Sequence, residues 1–152
     1  MISQTHFSLT LDIGAPTELV WTVLTDVERW PDWTASVSIV KPLTAGSLRV
    51  GSRVRIHQPK LLPASWRVTE LEPGKHFTWV TTAPGVVAIA RHVVQPATLG
   101  CSVTLSVSYN GIFGRLLARW TGELNDYYLA LEGNGLRNRC QQFATKAELP
   151  TT

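Results

Sequence analysis

The most regular pattern in the chain is "CSVTLSVSY", where Cys101, Val103, Leu105, Val107 and Tyr109 alternate with Ser102, Thr104, Ser106 and Ser108. A period of two with one apolar side predicts a strand with one buried face. "HFSLTLDIG" does the same, with Phe7, Leu9, Leu11 and Ile13 set against His6, Ser8, Thr10 and Asp12. In "APTELVWTVLTDVERW" the period lengthens: Leu19, Val20, Val23, Leu24 and Val27 recur at helical spacing. Pro16 suits a first helical turn and Glu18 its positive end, and Pro31 in "WPDW" interrupts the pattern. "SVSIVKPL" and "RVRIHQ" read as strands, the second with Val54, Ile56 and Gln58 turned inward. "ASWRVTELEPGKHFTWVTT" predicts a hairpin turning at Pro73–Gly74. Trp66 and Val68 share a face of its first arm, and Phe77 and Trp79 a face of its second.

"VVAIARHVVQP" is apolar on both sides. We place Ala88, Ala90, His92 and Val94 inward, because Arg91 and Gln95 suit solvent. A slip of one residue would bring Arg91 inside and turn His92 out. From about Arg115 to about Ala144 the pattern is helical. Leu117, Trp120, Leu124, Tyr127, Tyr128 and Leu131 form an apolar stripe that continues through Leu136, Cys140 and Phe143. Gly133 and Gly135 interrupt it, each costing about 1 kcal/mol in a helix interior relative to alanine. Either one helix ends at Gly133 and another begins near Gly135, or one helix continues and the glycines permit a close approach or a bend. We expect the continuous helix, and a short polar tail in "ELPTT".

No repeat, low-complexity tract or linker appears, so residues 1–152 are expected to form a single domain. Serial strands joined by short turns imply an antiparallel sheet with one face to water. Its other face needs a cover, which only the long helix and two short early helical pieces can supply. The predicted class is α+β.

Composition narrows the function. Hydrophobic residues make up 44% and charged residues 16%, the mark of a globular chain. The net charge of +3 is spread over scattered arginines, which argues against a nucleic-acid partner. The start of the chain lacks the basic and apolar segments of a signal peptide, and no run of about 18 apolar residues exists to span a membrane. A cytoplasmic protein is therefore expected, with Cys101 and Cys140 reduced. The four histidines lack HxH or HExxH spacing, so no metal site is expected. There is no GxSxG elbow. "GNGLRN" is half a dinucleotide fingerprint placed inside a helix, and "EPGKHF" is not a P-loop. No cofactor is expected.

Four stretches in order, "IGAPTELVWTVLTDVERWPDW", "WRVTELEPGKHFTWV", "RHVVQPATLGCSVTLSVSYNG" and "YLALEGNGLRNRC", resemble the START-like superfamily. More narrowly they resemble its polyketide cyclase/dehydrase and lipid-transport group, known as SRPBCC. The resemblance implies a helix-grip fold: a curved seven-stranded antiparallel sheet wrapped around a long C-terminal helix, two short helices after strand 1, and a deep pocket between sheet and helix. It also implies that the region of Trp30 and Trp33 helps form the pocket entrance, although the two rings could equally clamp the early helical pieces. It leaves the chemistry open, because one scaffold hosts many functions.

Candidate site residues follow from the inward faces. Trp33, Trp66, Phe77 and Trp79, with Trp120 and Tyr127 from the helix, would line an aromatic pocket, or else fill a solid core. Gln58, Val107 and Tyr109 add to the lining. An inward Gln58 amide requires partners, from a ligand or from neighbouring backbone. His92 and Tyr109 are the catalytic candidates: His92 as ligand hydrogen-bonder or general acid/base, Tyr109 as donor to a ligand carbonyl. Their plainer roles are a buried structural imidazole and a phenol capping the core. Glu132 reads as a catalytic acid or, preferably, as the partner of an arginine.

The expected function is binding of a small hydrophobic molecule, lipid- or polyketide-like, by a monomer or homodimer. The alternative is a cyclase/aromatase-like enzyme of aldol cyclisation and dehydration. A protein-interaction module ranks last.

Overall fold

The computed structural model describes residues 5–148; of the expected polar tail over 148–152, Glu148 ends the last helix and 149–152 lie outside the described residues. β1 (His6–Ile13) leads into α1 (Thr17–Thr25), a 3₁₀ turn (Val27–Arg29) and α2 (Trp30–Trp33). β2 (Ile39–Pro42), β3 (Arg53–His57), β4 (Ala64–Glu72), β5 (His76–Ala83), β6 (Val86–Ala97) and β7 (Gly100–Asn110) follow, then α3 (Gly114–Glu148). The strands form one curved antiparallel sheet in the order β1-β7-β6-β5-β4-β3-β2, with α3 on its concave face. No described helix is long and apolar enough to cross a membrane.

The alternating segments become strands because one side of each is apolar enough to bury. Phe7, Leu11 and Ile13 of β1 lie opposite Val107, Val103 and Cys101 of β7. The turn expected at Pro73–Gly74 forms, with Gly74 at φ 77°. In β6, Ala88, His92 and Val94 are buried while Arg91 and Gln95 face solvent. Pairing of His92 with Leu105 and with Phe77 fixes that register across three strands.

α3 is continuous over 35 residues. A Cβ on Gly133 would stand 2.8 Å from Leu9 Cδ2, and one on Gly135 only 2.0 Å from the carbonyl oxygen of Trp33. The glycines therefore let the helix press against β1 and α2. The buried side of α3 matches the expected stripe only in part, in Tyr128, Leu136 and Cys140. Ala118, Gly122, Asn125, Leu129, Gly133, Leu136 and Cys140 face in, while Trp120 and Tyr127 face out.

Cys101 and Cys140 are free, buried thiols between β7 and α3. Burial, with a smaller contribution from Cys101, pushes the Cys140 thiol up to about 12, and burial also raises Cys101. Folding thus favours the protonated thiols. Their stabilising contribution is complete below the ordinary thiol value of about 9 and is lost as pH rises from there toward 12. Neither thiol should react with Ellman's reagent at pH 8 under native conditions, and both should react in denaturant. Rapid native labelling would contradict this packing.

Candidate functional site

α3 hugs one side of the sheet and stands away from the other, and the space between is a cavity of about 810 Å³. Small residues open it: Ala88 and Ala90 on β6, Ala64 at the start of β4, and Thr121 on α3 all line it. Large ones wall it, namely Trp30, Trp66, Trp79, Leu105 and Leu129. Beyond His92 the interior closes into solid core, where Phe77, Val94, Val103, Leu136 and Cys140 have essentially no exposure.

His92 forms part of the closed end. Its ring stacks on Phe77, with centroids 4.2 Å apart and planes 9° from parallel. It meets Trp79 edge-on at 5.4 Å and Trp30 at 5.6 Å. Across from it Glu132 descends from α3, with His92 Nε2 3.5 Å from Glu132 Oε1. That separation is long for a well-formed hydrogen bond. His92 Nδ1 and Glu132 Oε1 are both buried without a hydrogen-bond partner. Glu132 therefore meets a histidine rather than the expected arginine. Arg139, two turns further along the helix, pairs with Asp32 at 4.0 Å.

A second polar group lies along the same wall. The Tyr109 hydroxyl donates to Asn125 Oδ1 at 2.7 Å, Asn125 Nδ2 donates to Thr121 Oγ1 at 3.0 Å, and Thr121 donates to the Leu117 carbonyl at 2.8 Å. Burial raises the Tyr109 phenol above its ordinary value, only partly offset by these hydrogen bonds, so it remains protonated at neutral pH. Its proton, expected to serve a ligand carbonyl, is committed to Asn125. Tyr128 donates to the carbonyl of Pro59, tying α3 to the loop between β3 and β4 at the cavity's rim.

Of the expected lining residues, Gln58, Trp66, Trp79, His92, Val107 and Tyr109 border the cavity. Four do not. Phe77 sits behind His92, fully buried in core. Trp33 packs on Trp30, at 5.7 Å, outside the lining. Trp120 is 78% and Tyr127 59% exposed. The helix residues that do line the cavity are Leu117, Thr121, Asn125, Tyr128, Leu129 and Glu132. Leu117 and Tyr128 belong to the expected stripe and Glu132 was singled out as a charge; Thr121, Asn125 and Leu129 escaped the sequence analysis, because a helix face bordering open space needs no apolar stripe. The usable signal was the glycines: Gly133 packs on β1, Leu129 lies one turn to its N-terminal side and Glu132 immediately before it.

Residues 4–146 match the family model described as polyketide cyclase / dehydrase and lipid transport. The chain belongs to that family. Solved structures of similar fold cover nearly all of it. The Zhui aromatase/cyclase from Streptomyces sp. R1128 is 19% identical with a TM-score of 0.73, over 94% of this chain and 97% of its own. A START superfamily protein from Mycobacterium smegmatis is 14% identical with a TM-score of 0.71, over 91% and 98%. A hypothetical protein from Helicobacter pylori is 14% identical with a TM-score of 0.75, over 89% and 86%. No curated protein matches the sequence. At these identities the likeness establishes the helix-grip fold of the family and leaves the activity of this member to its own cavity.

Proposed function

We propose that this protein binds a small hydrophobic molecule, lipid- or polyketide-like, between its sheet and α3. The cavity carries the proposal. At about 810 Å³ it falls within the range of about 300–1,000 Å³ usual for ligand sites. Its walls are mostly indole and aliphatic surface, with Arg53, Arg55, Gln58 and Lys60 also among the lining residues. Deeper in, the polar groups are His92 and Glu132 at the closed end and Tyr109 and Asn125 along the wall. A bound molecule would bury its apolar body against Trp30, Trp66 and Trp79 and satisfy the unpartnered imidazole and carboxyl atoms with a hydroxyl or carbonyl.

The neutral probe N-phenyl-1-naphthylamine tests this. It should bind with quenching of tryptophan emission and raise the melting temperature. Val107→Trp, which adds an indole inside the cavity, should weaken binding by at least about tenfold, the loss of one well-made apolar contact set, without lowering the melting temperature of the free protein. Equal affinity in the variant would remove the cavity as the binding place.

A second proposal rests on the His92–Glu132 pair. An imidazole beside a carboxyl group, facing a cavity, is the arrangement of a general acid/base. It would serve an aldol cyclisation in which His92 takes the proton from a carbon between two carbonyls. The Zhui neighbour, an aromatase/cyclase by its title, supports considering this chemistry. Turnover of a poly-ketone analogue, abolished in His92→Gln with binding retained, would establish it; binding without turnover leaves a carrier.

A further inference from the structure

The first turns of α3 run against local preference. Arg115 and Arg119 stand at the positive end of the helix dipole, and no acidic residue occupies the first turn. Leu116 and Trp120 are exposed one turn apart, with Ile112 and Phe113 exposed before them and Tyr127 beyond. At about 100° per residue, Leu116, Trp120 and Tyr127 fall within about 40° of one another, so they make one apolar strip. Along one flank run Arg115, Arg119, Glu123 and Asp126, all exposed. None of the four takes part in an ion pair among the described residues. Arg119 and Glu123 are spaced to pair, but in the less favourable order along the helix. A surface that is locally costly in both charge and hydrophobicity is one that serves a partner.

We propose that this strip binds a second copy of the chain, the two α3 helices crossing antiparallel at a level between Trp120 and Thr121. The order of the charges selects that partner. A two-fold contact repeats each pair; about this crossing point Arg115 lies level with Asp126 of the second copy, and Arg119 lies within one residue of the level of its Glu123. Trp120 meets the same residue across the axis, the large central anchor such contacts use. A parallel two-fold arrangement would turn this flank toward the partner's opposite flank and leave the four charges without complement. An anionic membrane would welcome the two arginines but repel the two carboxylates on the same flank.

The strip runs beside the cavity's rim. Leu117 and Thr121 line the cavity from the same helical turns, and the Phe113 amide donates to the Gly85 carbonyl beside Val86, another lining residue. Association would therefore bring two cavity mouths together. The inference goes beyond ligand binding and stands whether or not the cavity is filled.

Sedimentation velocity on the full chain, from about 5 to about 500 µM, reads it directly, a range that captures weak to moderate dimers. The wild type should dimerise with concentration. Trp120→Glu, and the pair Arg115→Glu/Arg119→Glu, should each raise the dissociation constant at least about tenfold. Adding Glu123→Arg/Asp126→Arg to the arginine pair restores complementarity and should restore the wild-type constant. All these positions are exposed, and thermal melts should show the variants folded. A chain monomeric at every concentration overturns the proposal. So does a dimer indifferent to Trp120→Glu, a charge exchange that fails to restore association, or a monomer that floats with phosphatidylglycerol vesicles.

Discussion

Gly135→Ala is expected to destabilise the protein by about 2–3 kcal/mol, the cost of forcing extra volume into a packed site. Intrinsic propensity predicts the opposite sign, because alanine in a helix interior is favoured over glycine by about 1 kcal/mol. The close approach decides the matter. The new Cβ would lie 2.0 Å from the Trp33 carbonyl oxygen and 3.3 Å from its Cε3. That carbonyl ends α2, whose Trp30 ring is held by a hydrogen bond from its Nε1 to the Leu24 carbonyl and by Trp79. Relief therefore requires α2 or α3 to move, which also disturbs the wall of the cavity. Gly133→Ala provides the control. Its Cβ would meet the tips of Leu9 at 2.8 Å and Leu11 at 3.2 Å, which can rotate aside, so the loss should stay below about 1 kcal/mol. Urea unfolding of both variants separates the cases. A Gly135→Ala protein as stable as the wild type would show that the glycine does not serve this approach.

The fold was legible because strands with one buried face write a period of two into the chain, and β1, β3 and β7 do so without exception. β6 does not, being apolar on both sides. Its register could be argued only from Arg91 and Gln95, the two residues whose charge or amide makes burial expensive. The cavity was less legible, and the reason is physical. Sequence patterns report what is packed, since packing demands apolar residues at fixed spacing. The cavity face of α3 is under no such demand and carries Thr121, Asn125 and Glu132, which look like solvent-exposed residues. Trp120 and Tyr127 look like core for the converse reason, and they face outward. Strand residues fared better than helix residues, because a strand's inward face is the same whether it meets core or cavity. Thus Gln58, Trp66, Trp79, His92, Val107 and Tyr109 border the open space, while Phe77, two residues from Trp79 on the same face, lies where the interior has already closed.

The His92–Glu132 pair is expected to show strong coupling in a double-mutant cycle. His92→Leu leaves a carboxyl group facing aromatic rings, its side chain only 12% exposed, and should cost about 3 kcal/mol, as when one member of a buried polar pair is removed. Glu132→Leu leaves a buried imidazole among Phe77, Trp79 and Trp30 and should cost about 1–3 kcal/mol. The double variant removes both polar groups from an apolar setting and should return to within about 1 kcal/mol of the wild type. Denaturant unfolding of the four proteins measures the difference. Single effects that simply add would mean that the two side chains do not act on each other. The same proteins test the cavity's polar pole. The double variant should keep its affinity for naphthalene yet bind 1-naphthol at least about tenfold more weakly than the wild type, because a site built around a hydroxyl discriminates through the partners it would otherwise leave unpaired. Equal loss for both probes would mean that His92 and Glu132 shape the cavity without reading the ligand.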